Sequence, residues 1–140
     1  MSLFDTVTIE CDLPDTAPDW LKRCPVFQTN DLGGMMADYT ITKDRQLVIE
    51  DTCIGPIIRE ALGITEQPQC VPVKYKRKRL ELFATNIRGG RKVGNTYCHF
   101  TENGERYVNI LYVVWIRDGI AGPIREKSRS DGDALPMSEF

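Results

Sequence analysis

The side chains in this chain that could do chemistry are a basic segment, a scatter of carboxylates and one histidine. The basic segment is Lys74-Tyr75-Lys76-Arg77-Lys78-Arg79, and Arg88, Arg91 and Lys92 follow it. Lysine and arginine at this density attract phosphates, and Tyr75 is placed to stack on a base. Between Lys74 and Lys92 eight bases stand against one acid, Glu81, although the whole chain has a formal charge of −2. Such asymmetry steers a charged partner toward one surface. Two other readings of the same residues rank ahead of nucleic-acid binding. A lysine-rich strand protects a sheet edge from pairing with another chain, and the acids elsewhere can neutralise the segment within the molecule.

The remaining reactive groups do not assemble locally. His99 is adjacent to Cys98, but neighbouring residues of a strand point to opposite faces, so the pair cannot act as nucleophile and base. A structural role for His99 is expected. Glu10, Asp12, Asp15 and Asp19 include two Pro-Asp steps, yet no Glu-x-Lys step accompanies them, as a metal-dependent nuclease of that type would require. Gly33-Gly34 and Gly89-Gly90 lack the spacing of a phosphate-binding loop, and no Gly-x-Ser-x-Gly elbow is present. The one small-ligand or enzymatic site worth carrying is around Gln28, Asp31 and the Gly33-Gly34 turn. No catalytic residue, metal site or cofactor is expected.

The five cysteines are odd in number and widely spaced, with no Cys-x-x-Cys pair. They read as small buried hydrophobes in a reducing compartment. No apolar run approaches the roughly 18 residues that span a bilayer. The first residues lack the basic and apolar regions of a signal peptide, so the cytoplasm is the expected location. At 140 residues one domain is expected.

The elements that must position these groups are mostly strands. Tyr107 to Ile116 is the longest apolar run, rich in β-branched and aromatic residues, and it lies between the turn pairs Asn103-Gly104 and Asp118-Gly119. It predicts the middle strand of an antiparallel meander. Both of its alternating faces are apolar, which predicts cover on both sides and a buried Trp115. Leu3 to Leu13 predicts a first strand with Val7, Ile9 and Cys11 inward. Asp15-Thr16-Ala17-Pro18 predicts a helix of one or two turns ending at Pro25, with Trp20 and Leu21 packed inward. Met35-Met36 are candidates for the core. Residues 37–42 and 46–50 predict a hairpin, with Tyr39 and Ile41 on one face and Leu47 and Ile49 on another. Asp51-Thr52 to Gly63 predicts a short helix with an Ile57, Ile58, Ala61, Leu62 stripe, followed by a linker at Gln67-Pro68-Gln69. Val71 to Ile87 predicts one strand region, Arg88 to Lys92 a flexible positive loop, and Ile120 to Arg125 a last short strand.

Several pieces taken together resemble a loosely defined group of small phage and prophage proteins. The matching residues are Phe4-Asp5, Leu13-Pro14, Phe27-Gln28-Thr29-Asn30-Asp31-Leu32, Tyr39-Thr40-Ile41-Thr42 and Arg117-Asp118-Gly119. The resemblance implies a bacterial cytoplasm during infection or lysogeny, and no assigned activity. The chain departs from the pattern by its basic strand and by the insertion from Arg88 to Tyr97.

The sequence therefore predicts a β-rich α+β domain over residues 1–125, with a mainly antiparallel sheet and one or two short helices, and a flexible tail over 126–140. The leading functional expectation is a non-enzymatic phage or prophage accessory protein that binds a host or phage macromolecule, a protein in the first instance. Nucleic-acid binding on the basic strand and a small-ligand site near residues 28–34 are the alternatives.

Overall fold

The alternation of Ile110, Tyr112, Val114 and Ile116 puts four apolar side chains on one side of an extended segment, and all four are buried. In the computed structural model this segment lies near one end of the main sheet, and it is not the middle of the expected meander, because the strand before it, residues 96–101, belongs to a second sheet. The structure describes residues 4–50, 61, 63 and 70–139. In chain order the elements are β1 (Asp5–Ile9), α1 (Asp19–Arg23), β2 (Val26–Thr29), β3 (Asp38–Ile41), β4 (Leu47–Glu50), β5 (Cys70–Pro72), β6 (Arg77–Thr85), β7 (Gly89–Val93), β8 (Thr96–Thr101), β9 (Tyr107–Arg117), β10 (Ile120–Ala121), β11 (Arg125–Gly132) and β12 (Ala134–Pro136), with a 3₁₀ turn at Met137–Glu139. The helix expected from Asp51 to Gly63 falls outside the described residues except for Ala61 and Gly63, and the linker at Gln67-Pro68-Gln69 lies outside them altogether.

The main sheet runs β10-β9-β6-β2-β1-β3-β4-β5, with β11 paired to β9 as well. A second sheet runs β12-β8-β7. The protein is β-rich as expected, but the sheets are mixed. β1 pairs with β3 in parallel, and β12 pairs with β8 in parallel. One face of the main sheet carries the core: Val7 and Ile9 of β1, Phe27 of β2, Leu80, Leu82 and Ala84 of β6, and the inward residues of β9. Leu21 of α1 is fully buried against it. Pro18 stands at the N-cap of α1 without a side-chain cap bond, and Asp15-Thr16 lie ahead of the helix. In the β3–β4 hairpin Tyr39 pairs with Ile49 and Ile41 with Leu47, so these four share one face, which corrects the expectation of two.

Several expectations are corrected. Val71 to Ile87 is not one strand. Residues 73–76 break it, with Val73 and Tyr75 packed against the core and the Tyr75 and Lys76 carbonyls accepting from Gly119 and Asp118. Arg88 to Lys92 is not a loop, since Gly89–Val93 forms β7, closed onto β8 by a Gly94-Asn95 turn in which Gly94 has φ 63°. Met35 and Met36 are exposed. Cys24 and Cys70 are exposed, and Cys11 and Cys98 only partly buried. The polar stretch expected as a tail from residue 126 is for the most part strand β11, laddered to β9 from Arg125 to Gly132, after which β12 joins the second sheet. A strand at the margin of a sheet needs no apolar side chains when its stabilisation is a backbone ladder. Here Arg106 adds ion pairs to Asp131 at 3.3 Å and Asp133 at 2.9 Å.

Candidate functional site

Residues directly opposite each other in an antiparallel pair share a face. Arg77 lies opposite Arg117, Arg79 opposite Trp115, Glu81 opposite Val113 and Phe83 opposite Leu111. These are the residues of β6 and β9 that point away from the core, and they form its outer face. β11 adds Arg125 opposite Val113, and β10 adds Ile120 opposite Arg117. The register of β11 shifts between Glu126 and Ser128. Such a bulge leaves one residue unpaired and re-aims its side chain. That residue is Lys127, and its amine reaches Glu81 of β6.

The Arg77 guanidinium lies 4.8 Å from the centroid of the Trp115 ring, within cation–π range. Trp115 is 36 % exposed, which corrects the expectation that it is buried. Its face of β9 is closed by no other layer at this end of the sheet among the described residues. The ring borders a groove of about 560 Å³ whose walls include Val113, Ile120, Ala121 and Pro123, with Arg117 and Arg125 also lining it. The turn beside it, with Asp118 at φ 51° and Gly119 at φ 79°, folds β10 back onto β9. Gly119 is also close-packed, since a Cβ there would stand 3.2 Å from the Val73 carbonyl oxygen.

The electrostatics of this face are one-sided. Among the described residues that β6, β9 and β11 present on this face, Arg77, Arg79, Arg117, Arg125 and Lys127 stand with one carboxylate, Glu81. One oxygen of Glu81 accepts from Arg79 at 2.7 Å and from Lys127 at 3.0 Å. The hydrogen bond from Arg79, followed by that from Lys127, holds the carboxyl below its usual range. The guanidinium groups of Arg117 and Arg125 have no hydrogen-bond or ion-pair partner among the described residues.

Along the same face a second hollow of about 300 Å³ is lined by Phe83, Thr85, Gln28, Val26, Trp20 and Arg88. Gln28 pairs with Phe83, so it continues the outer face across β2. An apolar groove at Trp115 and a hollow of mixed polarity at Trp20 thus share one side of the sheet.

The sequence-predicted binding residues are only partly brought together. Arg77 and Arg79 stand on the outer face. Lys74, Tyr75 and Lys76 lie in the connection before β6, and Lys78 alternates to the other face, its amine 5.6 Å from the Tyr75 ring. Arg91 and Lys92 belong to β7 in the second sheet, where the Arg91 guanidinium lies 5.4 Å from the Phe100 ring. Arg88 pairs with Glu102 at 3.4 Å and lines the second hollow. β6 lies between β9 and β2, but β2 meets it only at Gln28 and Phe83, so Arg77 to Arg79 have no strand partner on that side among the described residues and their charges are compatible with edge protection as well as with binding. Among the described residues, ion pairs neutralise Arg79 and Arg88 of this set and leave the others unpaired with an acid. Sequence reasoning missed Arg117, Arg125 and Lys127. The signal for Arg117 was legible, since it continues the Val113, Trp115 alternation outward. Arg125 and Lys127 required the β9–β11 register.

The residues of the alternative site near 28–34 are divided: Gln28 lines the second hollow, whereas Asp31 and the Gly33-Gly34 turn are engaged by the protein itself. Asp5 is fully buried, and its carboxylate accepts from the backbone N–H groups of Gly34 at 2.8 Å, Met35 at 3.1 Å and Ala37 at 2.9 Å. Gly33, Gly34 and Met36 adopt positive φ to present those amides. Asp31 accepts from the Glu81 backbone N–H at 2.7 Å. His99 sits edge-on to Tyr97 at 5.5 Å and Tyr107 at 4.8 Å, in an aromatic cluster that joins the two sheets. Among the described residues no group of three or more His, Cys, Asp and Glu side chains could hold a metal ion. No helix among them is long and apolar enough to cross a membrane. No family model matches the chain, and neither a curated protein nor a solved structure matches it.

Proposed function

We propose that this protein acts by binding, and that its partner is nucleic acid held on the outer face of β6, β9 and β11. The observation that carries this reading is the pair of unpartnered guanidinium groups, Arg117 and Arg125, flanking an exposed tryptophan in an apolar groove. Phosphates are held by such cations with release of counterions, and aromatic rings take bases without regard to sequence. The surface fits a polyanion better than a neutral partner, because among the described residues of these three strands five bases meet one acid that two of them already occupy. The resemblance to phage and prophage proteins adds a bacterial setting to this reading and no chemistry.

A gel-shift titration over salt concentration tests it. Single-stranded binding loses affinity with a log–log slope of about −0.7 per neutralised phosphate. The double variant Arg117→Glu/Arg125→Glu should abolish the shift while leaving the fold intact, since both side chains are exposed. Lys76→Glu/Lys92→Glu, at exposed positions off the face, should leave most of it. Absence of any shift at low salt, or a shift indifferent to salt, rules nucleic acid out and leaves a protein partner as the occupant.

A further inference from the structure

The groove beside Trp115 differs from a plain cationic surface in being walled by carbon. Val113, Ile120 and Pro123 line it together with the indole. Phosphates gain nothing from such walls, because burying their charge against apolar surface costs desolvation without a compensating partner. A planar, weakly polar group gains both contact area and stacking there. The cations stand along the lining of the same groove, at Arg117 and Arg125, where charge stays solvated. Its volume of about 560 Å³ falls in the range of about 300–1,000 Å³ typical of small-ligand pockets.

Resting on the nucleic-acid reading above, we infer that the groove takes one unstacked nucleobase against Trp115 while the adjoining phosphates lie on Arg117 and Arg125. The protein therefore selects single strands. In a duplex the bases are paired and stacked, and reaching the groove requires extruding one at a cost of a few kcal/mol. Arg77 contributes by holding one side of the indole at 4.8 Å, which fixes the ring before a base arrives and lowers the ordering cost of binding.

The experiment uses the full chain and three probes: a short oligodeoxythymidine, the same strand annealed to its complement, and inorganic polyphosphate, which has charge but no base. Affinities are measured at one fixed salt concentration for the wild type, Trp115→Leu and Ile120→Ser. Both substituted side chains are exposed, Trp115 at 36 % and Ile120 at 46 %, so neither variant removes a core residue. The single strand should bind more tightly than the duplex. Trp115→Leu should weaken single-strand binding by about tenfold, the loss expected for one base–aromatic stack, and Ile120→Ser should weaken it by a smaller factor. Both variants should bind polyphosphate as the wild type does. Duplex binding equal to single-strand binding, or oligonucleotide affinity unchanged in both variants, overturns the nucleobase assignment while polyphosphate and oligonucleotide binding preserve the broader reading. Failure of all three probes to bind the wild type overturns both.

Discussion

Replacing Asp5 by alanine tests whether the Gly33-Gly34 loop is held by one buried carboxylate. Asp5 is fully buried in β1 and accepts three backbone hydrogen bonds, from Gly34, Met35 and Ala37. Bonds to a charged acceptor each contribute about 1.5–3 kcal/mol when fully buried. Here the loop borders solvent, with Met35 and Met36 exposed, so water can reach some of the freed amides. Taking about 1 kcal/mol for each of the three amides gives a loss of about 3 kcal/mol. At this chain length that corresponds to a fall in Tm on the order of 10 °C. Asp5→Asn keeps one acceptor oxygen but turns an amide donor toward a backbone donor, so its loss should lie between wild type and Asp5→Ala. Urea unfolding followed by circular dichroism measures both, and the midpoint should fall at an unchanged m-value. A loss below about 1 kcal/mol for Asp5→Ala would refute the reasoning, since it would mean that water replaces all three bonds without cost.

Tyr112 is fully buried and its hydroxyl has no hydrogen-bond partner among the described residues. Tyr112→Phe should therefore be neutral or stabilising, within about 1 kcal/mol, in the same urea assay; a clear destabilisation would reveal a partner. Burial raises the Tyr112 phenol above its ordinary value, so its folded-state pKa exceeds the unfolded one. That contribution to stability is whole below about pH 10 and is lost as pH rises further, and Tyr112→Phe should flatten the alkaline limb of a pH–stability curve. Glu81 has the opposite sign: its folded carboxyl is lowered by Arg79 and then Lys127, so its ion pairs persist at neutral pH and are lost as acid protonates it. Glu81→Gln should mimic that loss, free both cations and strengthen oligonucleotide binding with a steeper salt slope; weaker binding would show that Glu81 positions the cations productively. A Cβ at Gly132 would lie 2.5 Å from the Tyr107 ring, and one at Gly90 2.6 Å from the Tyr97 hydroxyl. Tyr97 is 63 % exposed and can swing toward solvent at the loss of its edge contact with His99, whereas Tyr107 is half-buried and packed more closely on His99. Gly132→Ala should accordingly cost about 1–2 kcal/mol and Gly90→Ala markedly less, as thermal melts would register.

The parts of this protein legible in its sequence are those governed by neighbours in the chain. Period-two alternation marked the inward Val7 and Ile9 of β1 and the β3–β4 hairpin, and it separated the two faces of β9 without telling which one is covered; Asp118-Gly119 marked a reversal that the backbone indeed makes with positive φ at both residues. Local composition also showed that bases cluster between residues 74 and 92. What it did not contain was which of those bases share a surface. Lys78 and Arg79 are adjacent in sequence yet point to opposite faces, while Arg79 and Lys127 meet on one carboxylate across 48 positions of chain. The parallel β1–β3 pairing, the polar strand β11 and the exposure of Trp115 likewise depend on what packs beside them. Alternation states that a strand has two faces; only the register between strands distant in sequence decides which face is covered and which cations it gathers.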